Sequence, residues 1–254
     1  TGCPMSDPAM RQAISYAIDK NEINTKLLGG TVQVANTNIA PQAWYFADQF
    51  PATFDPQKAR EVLDAAGWTV GSDGIRSKNG LRAKIELCTT KGQPRTDTLA
   101  LVSSHLKDIG IEGVLNSVGS EDMFASGTSA RDTPCALSRG NFDVAERAVS
   151  SSLDALANYF RFHSSQFPPT GLNDARVSDP DIDAALEAVR DNVDFTVIKS
   201  AMATFQELYV EKTVEIPLYY RKNVDLVGPR LGNYFSNPTS AGPTWNAVDW
   251  YVKA

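Results

Sequence analysis

The 254 residues carry 24 basic and 30 acidic side chains, a formal net charge of -6, and 42% of them are apolar. That is enough apolar material for a sizeable core, and the mildly acidic balance with no basic run excludes a nucleic-acid surface. No stretch of about 18 uninterrupted apolar residues exists, so no segment reads as a membrane-spanning helix. The opening Thr1-Gly2-Cys3-Pro4 has neither the charged nor the apolar region of an intact signal peptide. A Gly-Cys pair also ends lipoprotein signals, but from Asp7 onward the chain reads as the interior of a longer protein.

Asp7-Pro8 pairs an N-cap with proline at the first helical position, and Met10, Ala13, Ile14, Ala17 and Ile18 follow on one helical face. Asp55-Pro56 repeats the signal ahead of Ala59, Val62, Leu63 and Ala66, with Gly67 as the stop. Residues 71–80 read as a hairpin punctuated by Asp73-Gly74 and Asn79-Gly80. Ala83, Ile85 and Leu87 then alternate with Lys84 and Glu86 as a strand. Leu99, Val102, Leu106 and Ile109 mark a helix ended by Gly110, and Ile111 to Val118 is a second strand. Strand, helix and strand with short joints form a crossover unit, which makes the two strands parallel neighbours.

Phe142 to Val149 is a third strand candidate, followed by a helix over Leu156 to Phe162. Asp179-Pro180 opens a helix with Ile182, Ala185, Leu186 and Val189 inward. Another runs from Phe195 to Glu211, with Ile198, Met202, Phe205, Leu208 and Tyr209 as its inner stripe. Glu215 to Val227 reads as a strand interrupted by Pro217, and 229–254 shows no periodicity. The class is α/β, a mixed sheet covered by helices. Cys3, Cys88 and Cys135 fit no zinc or redox spacing. One disulfide with a free thiol and three unpaired buried side chains are both open.

The order of these segments resembles the extracellular solute-binding proteins of family 5, the oligopeptide-, dipeptide- and nickel-binding proteins of ABC importers. Residues 6–20, SDPAMRQAISYAIDK, resemble that family's D-x-x-V-R-Q-A-I-x-x-A-I-D-R, with Met10 in place of valine. Asp55-Pro56-Gln57-Lys58-Ala59-Arg60 and Leu63-Asp64-Ala65-Ala66-Gly67-Trp68 resemble D-P-x-K-A-R-x-L-L-x-E-A-G-W. Asp73-Gly74-Ile75-Arg76, Leu106 to Ile111, Phe142-Asp143, Asn173 with Ser178 to Asp183, and Glu215 to Tyr220 match further patterns in the same order.

The resemblance implies a periplasmic-binding-protein-like lobe, one half of a two-lobed clamp, over residues 1–228. It implies that 229–254 returns towards an N-terminal lobe that precedes this region in complete members. A small solute, a peptide foremost, would lie between the lobes and pass to ABC permease subunits, with no cofactor and no metal. The location implied is extracytoplasmic, periplasmic or anchored as a lipoprotein. The candidate ligand-binding residues are Glu146, Arg147, Val149, Ser150, Ser151, Ser152 and Asp154, in the loop where peptide-binding relatives place an aspartate for the peptide's amino terminus. Asp154 either contacts ligand or caps the following helix, and Asn173 either faces the cleft or stabilises a turn. If Asp154 is no contact, a zwitterionic peptide loses its anchor and an uncharged or anionic solute gains ground. Trp44, Tyr45, Phe162 and Phe167 read first as packing, and Arg11 as a structural ion pair.

No metalloprotease, nucleophile-elbow or phosphate-loop motif occurs, and His105 reads as a surface residue of its helix. The chain is therefore read as a binding module and not as an enzyme. The alternative role is a sensor lobe that presents the same solute to a signalling receptor or regulator.

Overall fold

The structure, a computed structural model, describes residues 2–47, 50, 53–130, 132–150, 152–222, 224–237 and 241–253. Aspartate opens five of the helices. Asp7, Asp55 and Asp179 each accept a backbone N–H in the first turn of α1 (Pro8–Ala17), α3 (Pro56–Ala65) and α7 (Pro180–Arg190). Asp19 and Asp194 do the same without proline, for α2 (Lys20–Leu27) and α8 (Phe195–Glu211). Asp7 also accepts from Trp68 Nε1 at 3.0 Å and Lys78 Nζ at 2.7 Å, which ties α1 to the following hairpin. Arg11 makes no ion pair among the described residues; it donates to the Met5 carbonyl at 2.9 Å.

The strands are β1 (Gln33–Val34), β2 (Thr69–Val70), β3 (Arg76–Lys78), β4 (Leu81–Arg82), β5 (Lys84–Thr90), β6 (Glu112–Val118), β7 (Val144–Ala145), β8 (Tyr219–Tyr220), β9 (Leu231–Gly232) and β10 (Tyr251–Val252). The helices α4 (Arg95–Asp108), α5 (Ser120–Met123) and α6 (Ala157–Phe162) complete the set with short 3-10 turns. The central sheet runs β6-β5-β7, all parallel, with Lys84 opposite Glu112 and Thr90 opposite Val118. The expected crossover is therefore present, with α4 as its helix. Antiparallel pairs lie in small separate sheets: β2-β3-β4, β1 with β8, and β9 with β10.

Two expected strands are shorter than their sequence patterns. Of 142–149 only Val144 and Ala145 pair, against Leu87 and Cys88. Among the described residues of 215–227 only Tyr219 and Tyr220 pair, against Val34 and Gln33. In both places β-rich composition marks partial burial against a neighbour, which a non-ladder backbone also satisfies. His105 is buried, not on the surface, and its Nε2 meets Glu22 Oε2 at 2.6 Å. It joins α4 to α2 where a periodicity count left it outside the apolar stripe.

One core gathers Met10, Ile14, Ile23, Leu63, Trp68, Ile85, Leu87, Val102 and Leu106 from four helices and the sheet. A second gathers Tyr45, Tyr159, Phe162, Leu186, Met202, Phe205 and Tyr209 around α6, α7 and α8. A third, smaller one holds Cys88, Val118, Met123, Cys135 and Leu137 over the other face of β5. Cys88 and Cys135 form a disulfide, and Cys3 is free.

Lys20 is only 9% exposed, and its ammonium has one partner among the described residues, the Ala35 carbonyl at 2.9 Å. Burial pushes its pKa down to about 8. The unfolded side chain titrates near 10.4. Between these values the unfolded chain binds more protons, so stability rises with pH there, and the deficit is complete below pH 8. Lys20→Met is expected to raise stability at pH 7 by about 1–3 kcal/mol and to flatten that alkaline rise. Urea unfolding at pH 7 and pH 9.5 checks this, and a destabilised variant at pH 7 contradicts it.

Candidate functional site

Three parallel strands end side by side, and in open α/β sheets ligands collect outside the carboxyl ends of such strands. The chain leaves β7 through Glu146 and Arg147, and both turn inward. Glu146 N–H donates to the Cys88 carbonyl at 2.8 Å, its carboxylate accepts from the Thr89 hydroxyl, and Arg95 Nε lies 3.9 Å away. Burial raises the Glu146 pKa, with Thr89 and Arg95 pulling the other way. Arg95 also donates to Thr90 Oγ1 at 2.9 Å, which ties the start of α4 to the end of β5.

Arg147 bridges two acids from distant parts of the chain, Asp174 at 2.9 Å and Glu215 at 3.2 Å. The buried Tyr209 hydroxyl donates to the second oxygen of Glu215 at 3.0 Å. Burial holds the Asp174 pKa above its ordinary value even with Arg147 beside it. Desolvation thus outweighs the attraction of the pair, as is common for enclosed ions. Arg161, on α6, lies within electrostatic range of the same group.

Past Arg147 the backbone is free. Ala148, Val149 and Ser150 are exposed, and none of their N–H or C=O groups has a hydrogen-bond partner among the described residues. Ser151 lies outside the described residues. The far end of the loop is pinned by a segment remote in sequence. Tyr45 donates its hydroxyl to the Ser152 carbonyl at 2.8 Å, Trp44 Nε1 donates to the Leu153 carbonyl at 2.9 Å, and Asn38 donates to Asn158 Oδ1 at 3.0 Å.

Gln206, fully buried on α8, steadies that segment. It donates to the Tyr45 carbonyl at 3.0 Å and accepts from Ala47 N–H at 3.2 Å. Asn38 and Gln206 escaped the sequence reading. The available signal was a glutamine beside Phe205 in an apolar stripe, because a buried amide is kept only where its hydrogen bonds are met.

The remaining candidates are placed as follows. Ser152 Oγ accepts from Asp154 N–H at 3.0 Å, and the exposed Asp154 carboxylate accepts from Leu156 N–H at 2.9 Å, just ahead of α6. Asn173 is fully buried; it donates to the carbonyls of His163 and Val177 at 3.0 and 2.9 Å and accepts from Val177 N–H at 2.9 Å. Both its side-chain donors are thus spent on a turn. Phe162 packs in the second core, and Phe167 stacks beneath Arg176 at 5.8 Å.

Glu86, Cys88 and Cys135 bring possible metal-ligand atoms within 4.8 Å of one another, but the two sulfurs are spent on each other. A cavity of about 360 Å³ opens elsewhere, in the tail, lined by Arg221, Lys222, Val224, Asp225, Asn237, Gly242 and Pro243. No helix among the described residues is long and apolar enough to cross a membrane.

Residues 2–168 match the family described as bacterial extracellular solute-binding proteins, family 5 Middle. The nickel-binding periplasmic protein of Escherichia coli (strain K12) is 35% identical over 123 residues, 47% of this chain and 23% of that protein. The oligopeptide-binding protein AppA of Bacillus subtilis (strain 168) is 26% identical over 97% of this chain and 44% of its own length. The structure of AppA in complex with a nonapeptide aligns with TM-score 0.82 at 25% identity, over 98% of this chain and 48% of that one. The oligopeptide-binding protein of Thermus thermophilus, complexed with a pentapeptide, aligns with TM-score 0.81 at 28% identity, over 97% of this chain and 43% of that one. The chain spans less than half the length of these relatives.

Proposed function

The chain belongs to the bacterial extracellular solute-binding proteins, family 5, and from that premise we propose that it forms one wall of a cleft that grips a small solute, a peptide foremost, for delivery to an ABC permease. The chain covers 44% of AppA and 48% of the AppA chain in its solved structure, and we assign the opposite wall to a second lobe corresponding to the remainder. Residues 1–228 act as the ligand-binding lobe, and 229–254 lead back towards that second wall. The solute is gripped and released without chemistry in this chain, by closure of two lobes about a hinge.

The observation that carries this reading is the free backbone at Ala148, Val149 and Ser150. A segment that continues beyond a sheet strand, exposed and with N–H and C=O groups unspent among the described residues, is a template for an extended peptide, which pairs with it through its own main chain. Main-chain pairing gives affinity without reading side chains. Val149 and Ser150 would then line the solute directly, and Ser152 and Asp154 would set the far end of the groove. Glu146, Arg147 and Asn173 serve that wall from behind by holding its shape. The likeness to oligopeptide-binding proteins supports the same reading.

Mass spectrometry of the solute that co-purifies with the whole two-lobed protein tests it. Short peptides bound in stoichiometric amount are the expected result. A protein that purifies empty and ignores peptides in calorimetry removes the peptide reading.

A further inference from the structure

His163 caps the end of α6, and its ring stacks on Tyr159 with 4.4 Å between centroids. The side chain is 9% exposed, and its Nε2 is buried with no hydrogen-bond partner among the described residues. That atom is aimed at two acids of α7, with Glu187 Oε1 at 3.5 Å and Asp183 Oδ1 at 3.9 Å. An enclosed polar atom left unpaired costs free energy, and native structures keep few of them without a reason.

Neither contact is a hydrogen bond, yet both separations suit ligands that share one ion. Bonds of about 2.0–2.2 Å at tetrahedral angles set neighbouring ligand atoms roughly 3.3–3.6 Å apart. Asp183 and Glu187 stand four residues apart on α7, so they share one side of that helix. Asp183 is held in place, because Ser164 N–H donates to its Oδ1 at 2.8 Å and the Ser164 hydroxyl donates to its Oδ2. Glu187 is 48% exposed and turns about its own bonds to bring its oxygen beside that of Asp183. Arg190, 3.9 Å from Glu187, spends its donors on Tyr159 and Asp191 instead.

Ser165 serves the other ring nitrogen. Its N–H lies 3.1 Å from Nδ1 and its hydroxyl oxygen 2.8 Å. While the N–H donates to Nδ1, the ring proton sits on Nε2. A cation that takes Nε2 displaces that proton to Nδ1, where Ser165 Oγ accepts it and the Ser165 N–H contact is given up. An imidazole bound to a metal is oriented by such a bond from its second nitrogen.

We infer that His163, Asp183 and Glu187 form a site for a divalent transition-metal ion of the zinc type, with water as the fourth ligand. One imidazole and two carboxylates suit such an ion. The ion staples α6 to α7. Because α6 follows the free loop, and Asn173 donates to the His163 carbonyl at 3.0 Å, the staple stiffens the far end of the solute wall. The inference is independent of the solute: a protein that holds no peptide leaves this site standing.

The test uses the whole two-lobed protein, freed of metal with EDTA, desalted and titrated with zinc chloride in a calorimeter. One zinc ion per chain is expected, with a thermal midpoint that rises when zinc is added. Glu187→Gln changes a half-exposed side chain, so its metal-free midpoint should match that of the parent while zinc binding weakens at least about 10-fold, no less than the loss of an outer-shell partner costs. His163→Phe keeps a ring against Tyr159 and should lose the zinc-dependent rise in midpoint. A parent protein that takes up no zinc overturns the inference. So does zinc binding of unchanged affinity in both variants, which would place the ion elsewhere, as in the solute cleft.

Discussion

Loss of the Cys88–Cys135 disulfide is expected to cost about 4 kcal/mol of stability. The two cysteines are 47 residues apart, and the entropy of closing a loop of that length in the unfolded chain sets this size, as an upper figure. The bond also has local consequences. Cys135 belongs to the small core with Val118, Met123 and Leu137, which covers the second face of β5. Cys88 lies on β5 where its carbonyl receives Glu146 N–H at 2.8 Å, so loosening it loosens the root of the free loop. Cys3 offers no easy replacement: its thiol donates to Asp143, and partial burial, then Asp143, raise its pKa and keep it protonated. Guanidinium unfolding of the protein with and without reductant measures the effect, alongside the Cys88→Ala, Cys135→Ala double variant. An unfolding midpoint that ignores reductant would contradict the expectation.

Arg147→Ala is expected to cost about 3 kcal/mol at neutral pH. The pair it breaks is enclosed, with Arg147 and Asp174 side chains 16% and 12% exposed. The raised Asp174 pKa says that the intact pair gains little over its desolvation. The loss comes instead from what the truncation leaves behind, two enclosed acids that have lost the cation hydrogen-bonded to both. The sign of the pH dependence follows. Without Arg147, Asp174 moves further up, and the folded state then binds a proton at a pH where the unfolded chain, near 3.9, does not. Stability of the variant should therefore recover as pH falls from 7 towards 5, while the parent changes less. A double variant, Arg147→Ala with Asp174→Asn, should regain part of the loss at pH 7. Equal deficits at both pH values, or no gain in the double variant, would refute this account.

Much of the fold was legible because short-range chemistry decided it. Asp-Pro at residues 7–8, 55–56 and 179–180 opens a helix each time, since a cap and a fixed φ act within one turn. The helix over Phe195–Glu211 appears with its expected bounds, because the apolar period spans four turns. The parallel pairing of β5 and β6 followed from handed crossover geometry. Short strands were harder. Val144–Ala145 and Tyr219–Tyr220 take their partners from β5 and β1, and the local pattern does not say how many residues a distant partner will pair.

By itself the sequence determined the helix starts, the crossover, the α/β class and the family, each carried by contacts within a turn or by motifs kept in order along the chain. Only the tertiary structure decided which of three cysteines pair, and that Glu146 and Arg147 face inward. It also decided that Asn38, Tyr45 and Gln206 brace the loop. Those outcomes depend on groups remote in sequence meeting in space, as Gln206 meets Tyr45 across 161 residues. Hydrogen bonds and ion pairs act over a few ångströms and are indifferent to separation along the chain, so no local pattern encodes them.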